Sequence, residues 1–204
     1  MARAAVQPTP LPLTVQLEPV LHISDDELFE LSRINRDLRL ERTARGELVI
    51  MTPTGGLAGG RSAELMFQLA AWARRDGTGV AFESSTGFRL PNGAVRSPDA
   101  AWVRRERLAL LSPEEKAGFL PLCPDFVVEL RSFSDPLPLL QDKLAEYVAN
   151  GARLGLLIDP DEGRVSVYRE EGTVEVLEEP SSVSGDPVLP GFRLELAMIW
   201  SPDW

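Results

Sequence analysis

Two apolar runs, DFVVEL at residues 125–130 and LGLLID at 154–159, bracket a stretch with helical periodicity, and this succession limits the chain more than any other feature. Runs of five or six residues rich in Val, Leu and Ile, bounded by Pro, Gly and Asp, have the length of strands rather than helices. Between them Leu140, Leu144, Tyr147 and Val148 share one face at 100° per residue. Asp135 and Pro136 stand where a cap and a first helical residue belong, and Gly151 stands where the helix must stop.

The rest of the chain extends this unit. Ser24 with Glu27 has the pattern of a capping box and predicts a helix over 25–36. LRLER and ELVIM around TARG predict a hairpin, 38–42 with 47–51. After the glycine-rich TPTGGLAGG, the stripe Leu65, Leu69, Trp72 and Ala73 predicts a helix over 61–75 that ends at Gly77. VAFES, GFRL and DAAWV read as strands, and RVSVYRE with TVEVLEE as a second hairpin. The fold class is therefore mixed α/β (α+β), a central sheet flanked by helices with an extra hairpin toward each end. Residues 21–204 are expected as one domain, preceded by a flexible proline-rich arm over 1–20 with no continuous apolar core of the signal-peptide kind. No apolar run approaches the ~20 residues that span a bilayer, so a cytoplasmic protein without a membrane partner is expected.

The strand 125–130 contains a fault. Period two puts Val127, Glu129 and Arg131 on one face, and Phe126, Val128 and Leu130 on the other. An unpaired buried carboxylate costs several kcal/mol or shifts its pKa, so Glu129 needs a partner. Arg131 is one candidate, in a plain structural ion pair. A metal ion is another, if Asp99 in DAAWV stands at the same level on a neighbouring strand.

Composition narrows the chemistry. His22 is the only histidine and Cys123 the only cysteine, so clustered-histidine metal sites, thiolate zinc cages and intrachain disulfides are excluded. Catalysis would run on carboxylates, Lys or Arg, hydroxyls or a bound metal. The net charge of −10 argues against a constitutive nucleic-acid binder, but residues 61–107 carry 8 basic and 5 acidic side chains. Arg61 and Arg96 lie in that basic middle and are the expected substrate-binding cations. Only Lys116 and Lys143 are lysines among the 21 basic residues, and Lys143 falls at the edge of the helix stripe beside Tyr147. Its stem can lie in the core while its ammonium reaches the sheet. Mg²⁺ (or Mn²⁺) takes oxygen ligands and keeps several waters, so two carboxylates and a backbone carbonyl, that of Leu130, suffice to hold it.

SPDAAWV, PDFVVELRSFSD, KLAEYVANGARLGLLIDP and VLPGF together resemble the bacterial family called "putative restriction endonucleases", a domain of unknown function within the PD-(D/E)XK nuclease superfamily. The likeness covers about residues 20–200 and is most specific over 97–160. It implies a restriction-endonuclease-like core, with Asp99 at the Asp position and Glu129 at the acidic position of the D/E-X-K pair, both on Mg²⁺. The Lys of that pair is replaced by Arg131, which can contact phosphate but is a poor base. Lys143 on the following helix is placed to take over. Glu64 matches a position where some superfamily members carry a further metal-binding Glu. The implied function is Mg-dependent endonucleolytic hydrolysis, with DNA as partner and a homodimer to cut both strands.

Two rival readings stand beside this one. A catalytically impaired nuclease-like fold would serve as a binding or oligomerisation module. Gly55–Ser62, G-x-x-x-x-G-R-S, has the outline of a phosphate-binding loop, although Arg stands in place of its Lys.

Overall fold

The computed structural model describes residues 12–51, 53–133 and 135–203. The described chain starts with β1 (Leu13–Val15), helix α1 (Asp25–Ile34) and the hairpin β2 (Arg39–Arg42) and β3 (Leu48–Met51). The long helix α2 (Gly56–Asp76) leads into β4 (Gly79–Glu83), the two-residue strands β5 (Phe88–Arg89) and β6 (Val95–Arg96), and β7 (Ala100–Arg104). Two short helices, α3 (Arg105–Leu108) and α4 (Pro113–Ala117), precede β8 (Phe126–Leu130), α5 (Leu137–Ala149) and β9 (Leu154–Asp159). The hairpin β10 (Arg164–Arg169) and β11 (Val174–Glu178) follows, then β12 (Ser182–Ser184), β13 (Arg193–Glu195) and α6 (Ala197–Trp200).

Six strands form the central sheet in the order β11-β10-β9-β8-β7-β4. Every neighbouring pair is antiparallel except β8 with β9, which run parallel with α5 as their crossover. Helices cover both faces, which is why β8 and β9 are buried along their whole length and read as nearly continuous apolar runs. On one face Phe126, Val128 and Leu130 pack with Leu65, Leu69 and Trp72 of α2. On the other, Ala101, Val103 and Val127 pack with Leu144 and Tyr147 of α5. The period-two reading of DFVVEL is thus realised, and Glu129 lies in the α5 layer. A second sheet, β1-β3-β2-β6-β5, has its own small core of Leu28, Leu40, Leu48 and Val95 under α1.

The mixed α+β architecture is as expected, with four local differences. Helix α2 begins at Gly56 rather than 61, with Gly55 as its cap residue. The glycines cost helix entropy, Gly59 already donating to the Gly55 carbonyl at 2.9 Å within the first turn, and the packing of Leu65, Leu69 and Trp72 further along offsets that cost. This removes the phosphate-loop reading, because the G-x-x-x-x-G-R-S stretch is helix rather than loop. Within the expected arm, Leu13–Val15 pair antiparallel with β3 as β1; residues 1–11 lie outside the described residues. Helix α1 keeps its capping box but stops at Ile34. The cap residue of α5 is Pro136, not Asp135, whose carboxylate accepts the Ser132 N–H at 3.0 Å instead. Among the described residues no helix is long and apolar enough to cross a membrane.

Candidate functional site

Where the two sheets meet, buried charged groups from five segments converge. Glu129, on β8, faces α5. Lys143 and Tyr147 stand one turn apart on that helix, so both reach the same carboxylate. Lys143 Nζ lies 2.8 Å from Glu129 Oε1, and the Tyr147 hydroxyl donates to that oxygen at 3.2 Å. Lys143 Nζ also donates to Oε1 of Glu41, on β2, at 2.9 Å. That Glu41 oxygen accepts the Ser97 N–H at 2.9 Å, and Arg96 reaches the other at 3.2 Å. One ammonium therefore joins the hairpin sheet to the central sheet.

Asp99 directly precedes β7. Its Oδ2 accepts the Leu130 N–H at 2.8 Å, beyond the last β7–β8 pair, and its Oδ1 accepts from Arg39 at 3.1 Å. The first carboxylate is thus fastened to the backbone beside the second.

Burial pushes the Glu129 carboxyl up to about 7; Lys143 opposes this, and the Asp99 and Glu41 charges add to it. Burial acts on Glu41 in the same sense but is outweighed by Lys143, Arg96 and Arg39, so Glu41 falls to about 2. Burial disfavours the Lys143 ammonium, yet Glu129 and Glu41 more than compensate and raise its pKa. Lys143 is therefore a fixed cation and a hydrogen-bond donor, not a ready base. Burial, then Glu129, also keeps the Tyr147 phenol protonated well beyond its ordinary range.

Asp99, Glu129, Leu130 and Lys143 thus meet in one cluster. Arg131 does not join it. Its guanidinium binds Asp159 Oδ2 at 2.6 Å and the Asp135 carbonyl at 3.1 Å. Strand β8 ends at Leu130, so strand alternation no longer sets where residue 131 points. Glu64 accepts from Gln68 at 2.8 Å, on a helix whose core stripe packs against the opposite face of the sheet. Arg61 donates to the Trp200 carbonyl at 3.3 Å, away from the cluster. Arg96 belongs to the cluster but is held between Glu41 and Glu146, the latter at 2.6 Å, as an internal clamp.

Sequence reasoning missed Glu41 and Arg39, and counted Tyr147 only as core. In LRLER the two charged residues alternate with leucines, which reads as the wet face of a hairpin. Only the docking of the second sheet buries that face. His22 pairs with Glu18 at the surface, and the Cys123 thiol is buried, with a pKa pushed up to about 12 by burial.

The cluster is polar, and its side chains are mostly buried: Glu41, Glu129 and Lys143 are 2%, 3% and 10% exposed. Two surface pockets, one lined by Asp25, Arg42 and Arg89 and the other by Phe67, Trp72 and Arg75, lie away from Asp99, Glu129 and Lys143. Among the described residues no group of three His, Cys, Asp or Glu side chains is gathered to cage an ion. Two carboxylates do fit a hydrated hard cation, which needs few protein ligands. Among the described residues no hydrogen bond ends on Glu129 Oε2, and burial, with the neighbouring Asp99 and Glu41 charges, makes the ionised form of Glu129 costly there despite Lys143.

A family model described as "Uma2: Putative restriction endonuclease" matches residues 25–197. Among solved structures the chain is similar to a protein of Anabaena variabilis described as a "putative nuclease belonging to DUF820". The TM-score is 0.67 at 21% identity, over 79% of this chain and 89% of that one. At that identity the likeness concerns the fold. No curated protein matches the chain.

Proposed function

From the premise that this chain belongs to the Uma2 family of restriction-endonuclease-like proteins, we propose that it is a divalent-metal-dependent nuclease that hydrolyses phosphodiester bonds in DNA. The observation that carries the proposal is Glu129: a buried carboxylate on the strand end that Asp99 clasps through the Leu130 N–H, held through one oxygen by Lys143 and Tyr147. Asp99 and Glu129 would hold Mg²⁺ or Mn²⁺, with the Leu130 carbonyl as a third oxygen. Such an ion, when bound, supplies a water of lowered pKa and offsets charge on the phosphate oxygens.

The chain's own groups have separate tasks. Tyr147 and Lys143 orient Glu129 through Oε1 and leave Oε2 for a ligand. Asp99 holds the Leu130 N–H, which sets the end of β8 in register with its own carboxylate. Lys143, kept cationic, donates to the attacking water or to the oxyanion that develops on phosphorus; it does not take the proton. Glu41 fixes that ammonium from the other side. Two copies would bring two such sites to a duplex, so a homodimer fits this activity.

The alternative reading, a nuclease-like fold that binds without cutting, draws on Arg131, which stands at the motif's lysine position but is committed to Asp159. The same experiment separates the two. Cleavage of plasmid, duplex and single-stranded DNA, and of RNA, is measured with Mg²⁺ and Mn²⁺ for the wild type, Glu129→Ala and Lys143→Met. The proposal expects metal-dependent DNA cleavage that falls by about 10² or more in each variant. Equal rates in all three, or no cleavage of any substrate by the wild type, would sink it.

A further inference from the structure

We infer that Arg39 is the residue that receives the substrate's phosphate, and that its ion pair with Asp99 is the contact that metal and phosphate exchange against. This rests on the nuclease reading above and assigns a residue to the part of it left open. The cations expected to bind substrate are otherwise engaged. Arg61 is turned to the Trp200 carbonyl, Arg131 to Asp159, and Arg96 to two carboxylates. Lys143 is only 10% exposed and already bridges Glu41 and Glu129.

Arg39 differs on each count. Its side chain is 28% exposed and touches one carboxylate, Asp99 Oδ1 at 3.1 Å. Its other partners are weak ones for a guanidinium. Met51 Sδ lies 3.2 Å from Nε and 3.1 Å from one terminal nitrogen, and the Ser84 carbonyl is at 3.5 Å, at the limit of hydrogen bonding. Among the described residues this planar group with five donors has one strong acceptor, so it can turn to a better one. A phosphodiester offers two non-bridging oxygens in the spacing that a guanidinium matches bidentately.

Position points the same way. Glu41 and Glu129 have side chains 2% and 3% exposed, whereas Asp99 is 15% exposed and Arg39 more so. Of the charged groups in the cluster, Arg39 is the most exposed. The guanidinium also feels all three carboxylates: burial works against its charge, but Asp99, Glu41 and Glu129 outweigh that and hold it protonated. In the metal-free chain it partly neutralises the site. With Asp99 engaged by a divalent ion, Arg39 would lose its one carboxylate partner and would be free to turn to a phosphate.

Loss of the Arg39 charge should change metal and DNA affinity in opposite directions, which loss of a merely structural contact would not. Arg39→Met keeps the apolar stem beside Met51 and removes the charge. Mn²⁺ affinity, read by paramagnetic resonance without substrate, should rise about three- to tenfold, the scale of one partly exposed ion pair. Affinity for a labelled short DNA duplex in chelator should fall about tenfold, and its salt dependence should drop by about one phosphate contact. Arg39→Lys should keep the salt dependence while recovering only part of the affinity. Weaker binding of both Mn²⁺ and DNA, or unchanged DNA affinity, would overturn the assignment while leaving the nuclease reading intact. A wild-type chain with no Mn²⁺ site sensitive to Glu129→Gln would overturn both.

Discussion

Glu129→Gln should stabilise the metal-free protein, and only above mildly acidic pH. The Glu129 carboxyl titrates near 7 in the fold against an ordinary 4.5. A raised pKa means that the folded chain holds this proton more tightly than the unfolded chain. The stability so contributed is complete below 4.5 and is lost as pH rises through 7. At about 1.4 kcal/mol per tenfold change in ionisation, the loss comes to about 3 kcal/mol by pH 8. The attraction of Lys143 is already contained in that figure, and the buried carboxylate is little screened by solvent. Glutamine has nearly the same shape and no charge to expose. The variant should therefore match the wild type near pH 4.5 and exceed it by up to about 3 kcal/mol at pH 8. Urea midpoints followed by tryptophan fluorescence at pH 4.5, 6 and 8 measure this, because Trp72 and Trp102 are buried in the core. Mg²⁺ or Mn²⁺ should then raise the wild-type midpoint at pH 8 and leave that of the variant unmoved. A variant less stable than the wild type at pH 8 would refute the reasoning. It would mean that the Lys143 pair outweighs burial.

Arg131→Ala should lose about 1–3 kcal/mol of stability, since it leaves the buried Asp159 without its cation, yet leave Mn²⁺ affinity unchanged; a weakened metal site would return Arg131 to the cluster. Glu64→Gln should alter neither Mn²⁺ affinity nor cleavage, because Glu64 is bonded to Gln68 on a helix packed against the other face of the sheet; titration and a cleavage assay check this. Gly79→Ala should destabilise by about 1–3 kcal/mol in urea, because an added Cβ would come within 2.2 Å of the buried Trp102 ring.

The elements were readable where local rules act alone. The Ser24–Glu27 capping box, the 154–159 strand and the stripe of α5 each follow from a few neighbouring residues and appear as read. The alternation inside β8 also held, which is how Glu129 could be assigned to the face that Lys143 reaches. Local rules failed at element ends. Arg131 stands one residue past β8 and turns to Asp159, and the glycines of α2 became helical because the rest of that helix packs.

Glu41 and Arg39 mark a different boundary. Nothing within their hairpin distinguishes them from solvated charges. The Ser97 N–H that Glu41 accepts is 56 residues away, and the Asp99 that Arg39 pairs with is 60 away. The residue pattern alone excluded histidine and cysteine chemistry, set Glu129 among apolar residues of a buried strand and put Lys143 at the edge of a core stripe; the family resemblance, not composition, singled out Asp99 as its partner. Which counter-charges surround them, and so which carboxylate titrates near 2 and which near 7, depended on how the hairpin sheet docks against the central one. Electrostatics in a buried site follows distance through space and the exclusion of water, and neither quantity is encoded in separation along the chain.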